Sequence, residues 1–370
     1  MRICLVLSTL VFACGAQAAS IAPVPPDPLE LATGALNTVT TPEQRSAVIT
    51  LLNRATNNYA MHARMSPPHV IEISFSATAS TLFPAANGTL RETWISGLNW
   101  RWDATLGAYS LTRISSNGIP YDQQTPRPIP LRLKMLSMAV FNPVQAGAPR
   151  QETIRTFTAD WKGATITCML LSGPFQHELP ASGRDWSERE YCIDPSTGLL
   201  QVASEAPGIY VAYDYANALH FHGQTLPSGV MVTEGGKTVL QAQVTSVTDT
   251  DGSNMTPFTV TSQMVSQGPA VVLNAPSRSQ MSRASAALSP GSAVEPVIVH
   301  AIVDQQGHVE ESELLQTTGL SEQALALVNG QQFGELPAQP GAPQRQREMF
   351  IEVRFHPMAA VSAVNRGPAN

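Results

Sequence analysis

Charged residues are scarce in this 370-residue chain: 22 Lys and Arg and 28 Asp and Glu amount to 14% of it, and the formal net charge is −6. No basic stripe runs through the sequence, which argues against a nucleic-acid partner, because phosphates demand clustered Lys and Arg. Long apolar runs are missing too. The longest, Ile3 to Gly15, would rise only about 20 Å as a helix against a hydrocarbon core of about 30 Å, so no transmembrane helix is expected. There is no Gly-x-Ser-x-Gly elbow, no His-Glu-x-x-His helix and no phosphate-cradling glycine loop. An enzyme is therefore not expected, and no cofactor is implied.

The 43% hydrophobic content is a globular balance, enough for two ordinary cores. Met1-Arg2, the apolar run and Ala16-Gln-Ala18 read as a secretory signal peptide over 1–18, cleaved after Ala18. The expected destination is the periplasm. Val11-Phe-Ala-Cys14 offers an alternative, a lipoprotein box that would tether the mature protein by acyl chains at Cys14. With cleavage after Ala18, Cys168 and Cys192 are the remaining cysteines. Two thiols in an oxidising compartment suggest one disulfide, with two unpaired buried cysteines as the alternative.

Residues 19–40 form a Pro-rich leader. Thr41, Pro42 and Gln44 then make a capping box with proline at the first helical position, and Val48, Leu51, Leu52, Ala55 and Tyr59 form one apolar stripe that Ser66-Pro-Pro68 ends. From His69 the pattern changes to short alternating runs such as Ile71, Ile73 and Phe75, continued at 153–161, 165–171, 190–193, 199–203, 210–215, 229–234 and 239–249. A second helix is expected at 131–141, where Leu133, Leu136 and Val140 share a side before Asn142-Pro143. The fold class is α+β: a curved antiparallel sheet wrapped on helices across a domain spanning 41–273. An Ala/Ser/Pro linker at 274–295, a small β-β-α-β domain at 296–357 and a tail at 358–370 complete the chain.

The opening helix Thr41 to Arg64, Gly88-Thr-Leu-Arg-Glu-Thr-Trp94 leading to Trp100-Arg-Trp102, the turn Asp194-Pro-Ser-Thr-Gly-Leu-Leu200 and Gly223-Gln-Thr-Leu-Pro227 make 41–249 similar to the periplasmic lipoprotein carriers, the LolA and LolB group. That resemblance implies an apolar cavity for acyl chains. In the last module, Val297 to Val303, the Asp304/Gly307 turn, Val309, Thr317-Thr318-Gly319, Ala324, Phe333, Pro337, Gly341-Ala-Pro343 and Val353-Arg-Phe355 resemble the TonB C-terminal domain. The tyrosine-proline box of that family is absent. The TonB-like resemblance implies protein–protein contacts in envelope transport, made by a protein without its own membrane anchor. The final strand, through Met349, Ile351, Val353 and Phe355, would add to a sheet edge in another envelope protein or in a second copy.

Three further groups merit attention. His220-Phe-His222 puts two imidazoles at alternate strand positions, a weak metal-like pattern with Tyr213, Asp214 or His177 as third ligands. Asp185, Glu188, Glu190 and Asp194 cluster around Trp186 and Cys192, either for acid/base work or to solvate a loop and strand. Trp94, Trp100 and Trp102 are either sheet core or an aromatic platform. The reading is a periplasmic TonB-domain binding protein, with a lipid or lipoprotein carrier as the alternative and a metal-dependent enzyme at His220/His222 as the second alternative.

Overall fold

The structure is a computed structural model that describes residues 27–63, 65–124, 129–141, 143–144, 152–173, 179–180, 183–185, 188–266, 282–288, 297–315, 320–335 and 346–357. The expected signal peptide, Cys14, His177, Trp186 and the tail lie outside the described residues. Among those described, no helix is long and apolar enough to cross a membrane.

In chain order, β1 (Asn37–Thr38) precedes α1 (Pro42–Asn58), and then come β2 (His69–Ala77), β3 (Ala86–Ser96), β4 (Asn99–Leu106), β5 (Tyr109–Ser116) and β6 (Ile119–Gln124). Helix α2 (Leu131–Phe141) is followed by β7 (Thr153–Trp161), β8 (Ala164–Ser172), β9 (Arg189–Ile193), β10 (Leu200–Ala206) and β11 (Ile209–Asp214). A small hairpin of β12 (Leu219–Phe221) and β13 (Gln224–Leu226) leads to β14 (Gly229–Glu234), β15 (Lys237–Asp249) and β16 (Val265–Ser266). The C-terminal module holds β17 (Ser282–Leu288), β18 (Val297–Val303), β19 (Val309–Leu314), α3 (Ser321–Asn329) and β20 (Arg347–Pro357).

One curved, open antiparallel sheet dominates, with strands ordered β1-β7-β8-β9-β10-β11-β14-β15-β2-β3-β4-β5-β6-β16. Alternation fixes its faces. Ile71, Ile73 and Phe75 are buried while Glu72, Ser74 and Ser76 are exposed, as a period of two requires for a half-covered strand. The inner face packs against Val48, Leu52 and Ala55 of α1 and against α2. Helix α1 starts where the capping box predicts: the Thr41 hydroxyl accepts from Gln44 N–H, and the Gln44 side chain accepts from Thr41 N–H.

The outer face is covered where β7 to β11 lie. Leu29 and Ala32 pack there against Phe157, Leu170, Val202 and Tyr210, and Thr233 Oγ1 donates to Asp27 Oδ2 at 2.8 Å. The described part of the expected leader is thus a cover for the sheet, held by its own apolar residues. Cys168 and Cys192 are register partners on β8 and β9 and form a disulfide within this layer. Replacing both by alanine is expected to lower the unfolding free energy by about 3 kcal/mol, measured as a reduced urea midpoint. A midpoint shift near zero would mean that the cross-link adds nothing to the pairing of two already adjacent strands.

The C-terminal sheet has the order β17-β20-β18-β19. All seven residues of β18 are buried because both faces are covered. Val297, Val299, Ala301 and Val303 pack with Ala324 and Val328 of α3, while Ile298, Ile302, Leu315 and Phe350 belong to the same core as α1 and α2. At about 1.5–3 kcal/mol per fully buried large apolar side chain, those four contribute on the order of 6–12 kcal/mol before entropy. That rivals the net stability of a whole domain. The module is therefore docked on the larger domain rather than held only by a tether.

Two glycines make the close approaches possible. Gly208, in the β10–β11 turn at φ +86°, meets the backbone of Leu315 so closely that a Cβ would overlap its carbonyl oxygen. Gly307, at φ +90°, faces the Phe333 carbonyl in the same way and accepts from Phe333 N–H at 2.8 Å; only glycine combines that φ with that contact.

Two expectations need correction. The segment 274–295, read as a linker, contains β17, which pairs in parallel with β20 from Ser282↔Ile351 to Leu288↔Pro357. Strand β20, expected to add to a sheet edge in a partner or a second copy, has β18 on one side and β17 on the other.

Candidate functional site

Helix α2 is the unusual element. Its sequence, Leu-Arg-Leu-Lys-Met-Leu-Ser-Met-Ala-Val-Phe, gives it apolar side chains on every side, and Leu131, Leu133, Met135, Leu136, Ala139, Val140 and Phe141 are all buried. A helix apolar all round needs cover all round. The sheet's inner face, including Val232 and Leu240, supplies part of it, and the core that they share continues into Ile298, Ile302 and Phe350 of the C-terminal module. The Tyr213 hydroxyl donates to the Ala139 carbonyl at 3.0 Å, fixing the helix near its C-terminal end.

A polar latch sits at the N-terminal end of α2. The Arg132 guanidinium, 2% exposed, donates through Nη1 to Glu234 Oε2 at 2.7 Å and through Nη2 to both oxygens of Glu313 at 2.7 Å. His300 on β18 lies between Glu234 Oε1 and Glu348 Oε1, each 2.7 Å from a ring nitrogen. Lys134 Nζ donates to Gln346 Oε1 at 2.8 Å. One helix, one strand of the main sheet and three strands of the small sheet thus meet through charge.

Burial alone would lower the His300 pKa, but hydrogen bonds and charge from Glu234 and Glu348 outweigh it and raise it to about 10. Glu234 is also desolvated, which by itself would raise its pKa. His300 and Arg132 instead bring it down to about 2. Around Arg132 and His300, three carboxylates face two cations, and the surplus negative charge is relieved at Glu313, pushed up to about 8 by burial and by Glu234. Burial lowers Lys134 to about 8 against the opposing pull of Glu348 and Glu310.

The residues singled out from sequence are placed elsewhere. Met349, Ile351, Val353 and Phe355 pack in the core under α3, so their side chains have no open face for a partner. His220 and His222 have separate partners: Thr225 Oγ1 lies 3.3 Å from His220 Nδ1, and Asp249 Oδ1 lies 2.7 Å from His222 Nε2. His222 also sits at φ +46°, out of the strand geometry that would align the two rings. Tyr213 points instead to α2, and the Asp214 carboxylate accepts from Ala216 N–H at 3.0 Å.

The acidic group is not a solvated face throughout. Glu188 is buried against Arg155, whose Nε donates to it at 2.8 Å, and Asp185 N–H donates to it at 2.8 Å. Glu190 is buried beside Arg184 and is raised to about 7 by burial and by Glu30 and Glu188. Asp194 caps the Ser196-Thr197 turn. Trp94 and Trp102 are buried and Trp100 is half-buried, so they are sheet core rather than an open platform. The Trp102 indole N–H donates to Glu92.

The latch was missed in the sequence although a signal existed. Arg132 and Lys134 interrupt an otherwise apolar helix, and His300 interrupts a continuous β-branched run. A charge inside an apolar run is rarely buried without a partner.

No family model and no curated protein matches the chain. Solved structures with some similarity include a LolA-superfamily protein from Nitrosomonas europaea, 12% identical, with a TM-score of 0.35 over 55% of this chain and 93% of that one. An outer-membrane lipoprotein-sorting protein domain from Vibrio parahaemolyticus is 9% identical, with a TM-score of 0.36 over 56% and 95%. A DUF1329-family protein from Desulfovibrio piger is 8% identical, with a TM-score of 0.37 over 58% and 96%.

Proposed function

We propose that this is a non-enzymatic periplasmic carrier of an acyl-chain ligand, a lipid or the lipid moiety of a lipoprotein, and that the ligand occupies the sheet's inner face when α2 moves aside. The observation that carries this reading is the burial of nine of the eleven residues of α2 while the helix is pinned by ionic side chains. An apolar helix lying on an apolar sheet occupies a surface that acyl chains also fit, since both bury hydrocarbon without hydrogen-bond demands. The latch of Arg132, Glu234, His300 and Glu313 sets how readily the helix leaves. The Cys168–Cys192 disulfide suits an oxidising compartment.

On this reading the C-terminal module contributes His300, Glu313 and Glu348 to the latch. Capture of an envelope protein by strand addition at β20 is less well supported, because β17 and β18 flank that strand.

The test is saturable binding of a fluorescent palmitoyl probe to the full chain, with organic extraction and mass spectrometry of the freshly purified protein. Tyr213→Phe removes a single hydrogen bond to α2, worth about 1 kcal/mol, and is expected to tighten probe binding about fivefold by populating the displaced helix. No co-purifying acyl species, with no saturable binding by either form, would overturn the proposal.

A further inference from the structure

A second polar cluster lies away from the latch, where the end of α1 meets β2 and β3. His62 belongs to the short 3-10 turn Ala60–His62, His69 opens β2, and Glu92 sits on β3. His69 and Glu92 are fully buried, and the His62 side chain is 20% exposed. His62 Nε2 is 2.8 Å from Glu92 Oε1, and His69 Nε2 is 3.7 Å from the same oxygen.

The tautomer of His69 follows from its other nitrogen. Nδ1 is 2.8 Å from the Pro67 carbonyl oxygen, which can only accept, so Nδ1 carries the proton in the neutral ring and Nε2 presents a lone pair. That Nε2 is buried with no hydrogen-bond partner. A buried acceptor aimed at a carboxylate is costly unless something positive stands between them.

The spacing identifies what fits. A proton links nitrogen and oxygen atoms 2.7–3.2 Å apart, and 3.7 Å is too long. Bonds of about 2.0–2.1 Å to a tetrahedral ion place ligand atoms about 3.3 Å from one another, between the two measured separations. The remaining contacts are those expected around a ligand set. The Pro67 carbonyl orients His69, the Trp102 indole N–H engages the second Glu92 oxygen, and His62 is stacked on Trp94 at 4.3 Å and on Phe141 at 5.2 Å.

We propose that His62, His69 and Glu92 bind a divalent transition metal of the zinc class, with water in the fourth position on the side where His62 reaches solvent. Two imidazoles and one carboxylate suit Zn²⁺ or Co²⁺ and disfavour Mg²⁺ and Ca²⁺, which take oxygen ligands. The ion would tie the end of α1 to the sheet beside Phe141, the last residue of α2. This site is independent of the carrier reading, since it needs no acyl ligand.

The experiment equilibrates the full chain with Co²⁺ or Zn²⁺, removes free ion, and measures metal per chain by elemental analysis, with the visible spectrum of the cobalt form. One tightly held ion per chain with a four-coordinate cobalt spectrum is expected. His69→Gln and the near-isosteric Glu92→Gln are expected to lose it. Trp102→Phe, which keeps all three ligands, is expected to weaken binding about 10–100-fold, and a double His220→Gln/His222→Gln variant is expected to bind as the parent does. Failure of the parent protein to hold an ion, or full occupancy in both His69→Gln and Glu92→Gln, would overturn the proposal.

Discussion

Replacing Arg132 by methionine is expected to lower the unfolding free energy by about 3–5 kcal/mol, the usual cost of breaking a buried ion pair from one side. Methionine keeps most of the apolar stem, so the loss is one of charge rather than packing. Without the guanidinium, Glu234 keeps His300, but Glu313 loses its bidentate partner. The second variant that decides the mechanism is Arg132→Met combined with Glu313→Gln, which replaces the carboxyl left without its partner. Its cost should be smaller than the sum of the two single costs, with a coupling of about 1–3 kcal/mol. Urea denaturation of the four proteins measures this, and the same set measured with the palmitoyl probe reports on α2. A single-variant loss under about 1 kcal/mol would show that apolar contact alone seats the helix.

How much of this could be read in advance differs by element, for physical reasons. Helix α1 announced itself through Thr41, Pro42 and Gln44, and α2 through Leu133, Leu136, Val140 and the Asn142-Pro143 stop, because capping and proline effects act within a few residues. Most strands of the main sheet followed from alternation, since one of their faces is wet over much of its length, whereas β1, β6 and β16 were not expected. Strand β17 gave no such signal. Ser282-Arg-Ala-Ser-Ala-Ala-Leu288 lacks the β-branched and aromatic residues that mark strands, and its pairing with β20 is a backbone matter. Docking of the C-terminal module was encoded in Val297 to Val303, whose lack of alternation is the mark of a strand covered on both faces. The His62, His69 and Glu92 cluster had no local motif at all. It is assembled by a 3-10 turn and two strands from residues up to thirty positions apart.

The latch also makes stability depend on alkaline pH. His300 is raised to about 10 in the folded protein from about 6.5 in an unfolded chain, so the folded state binds the extra proton between those values. Its stabilisation is complete below about pH 6.5 and is lost as pH rises through about 10, a swing of several kcal/mol because the ring is fully buried. Other groups titrate in the same window. Glu190, at about 7, and Glu313, at about 8, make stability fall as pH rises from about 4.3 to those values, whereas Lys134, lowered to about 8, makes it rise from there to about 10.4. The informative quantity is therefore the difference in unfolding free energy between the parent and His300→Gln. It should shrink steadily as pH rises from about 6.5 through about 10, and it should also fall in acid, because Glu234 owes its low pKa chiefly to His300. NMR of the His300 ring supplies a second reading that does not depend on the variant: its resonances should stay those of an imidazolium through pH 8. A ring that titrates below that pH would mean that Glu234 and Glu348 hold a neutral histidine. The latch would then rest on Arg132 alone, and alkaline pH would leave α2 in place.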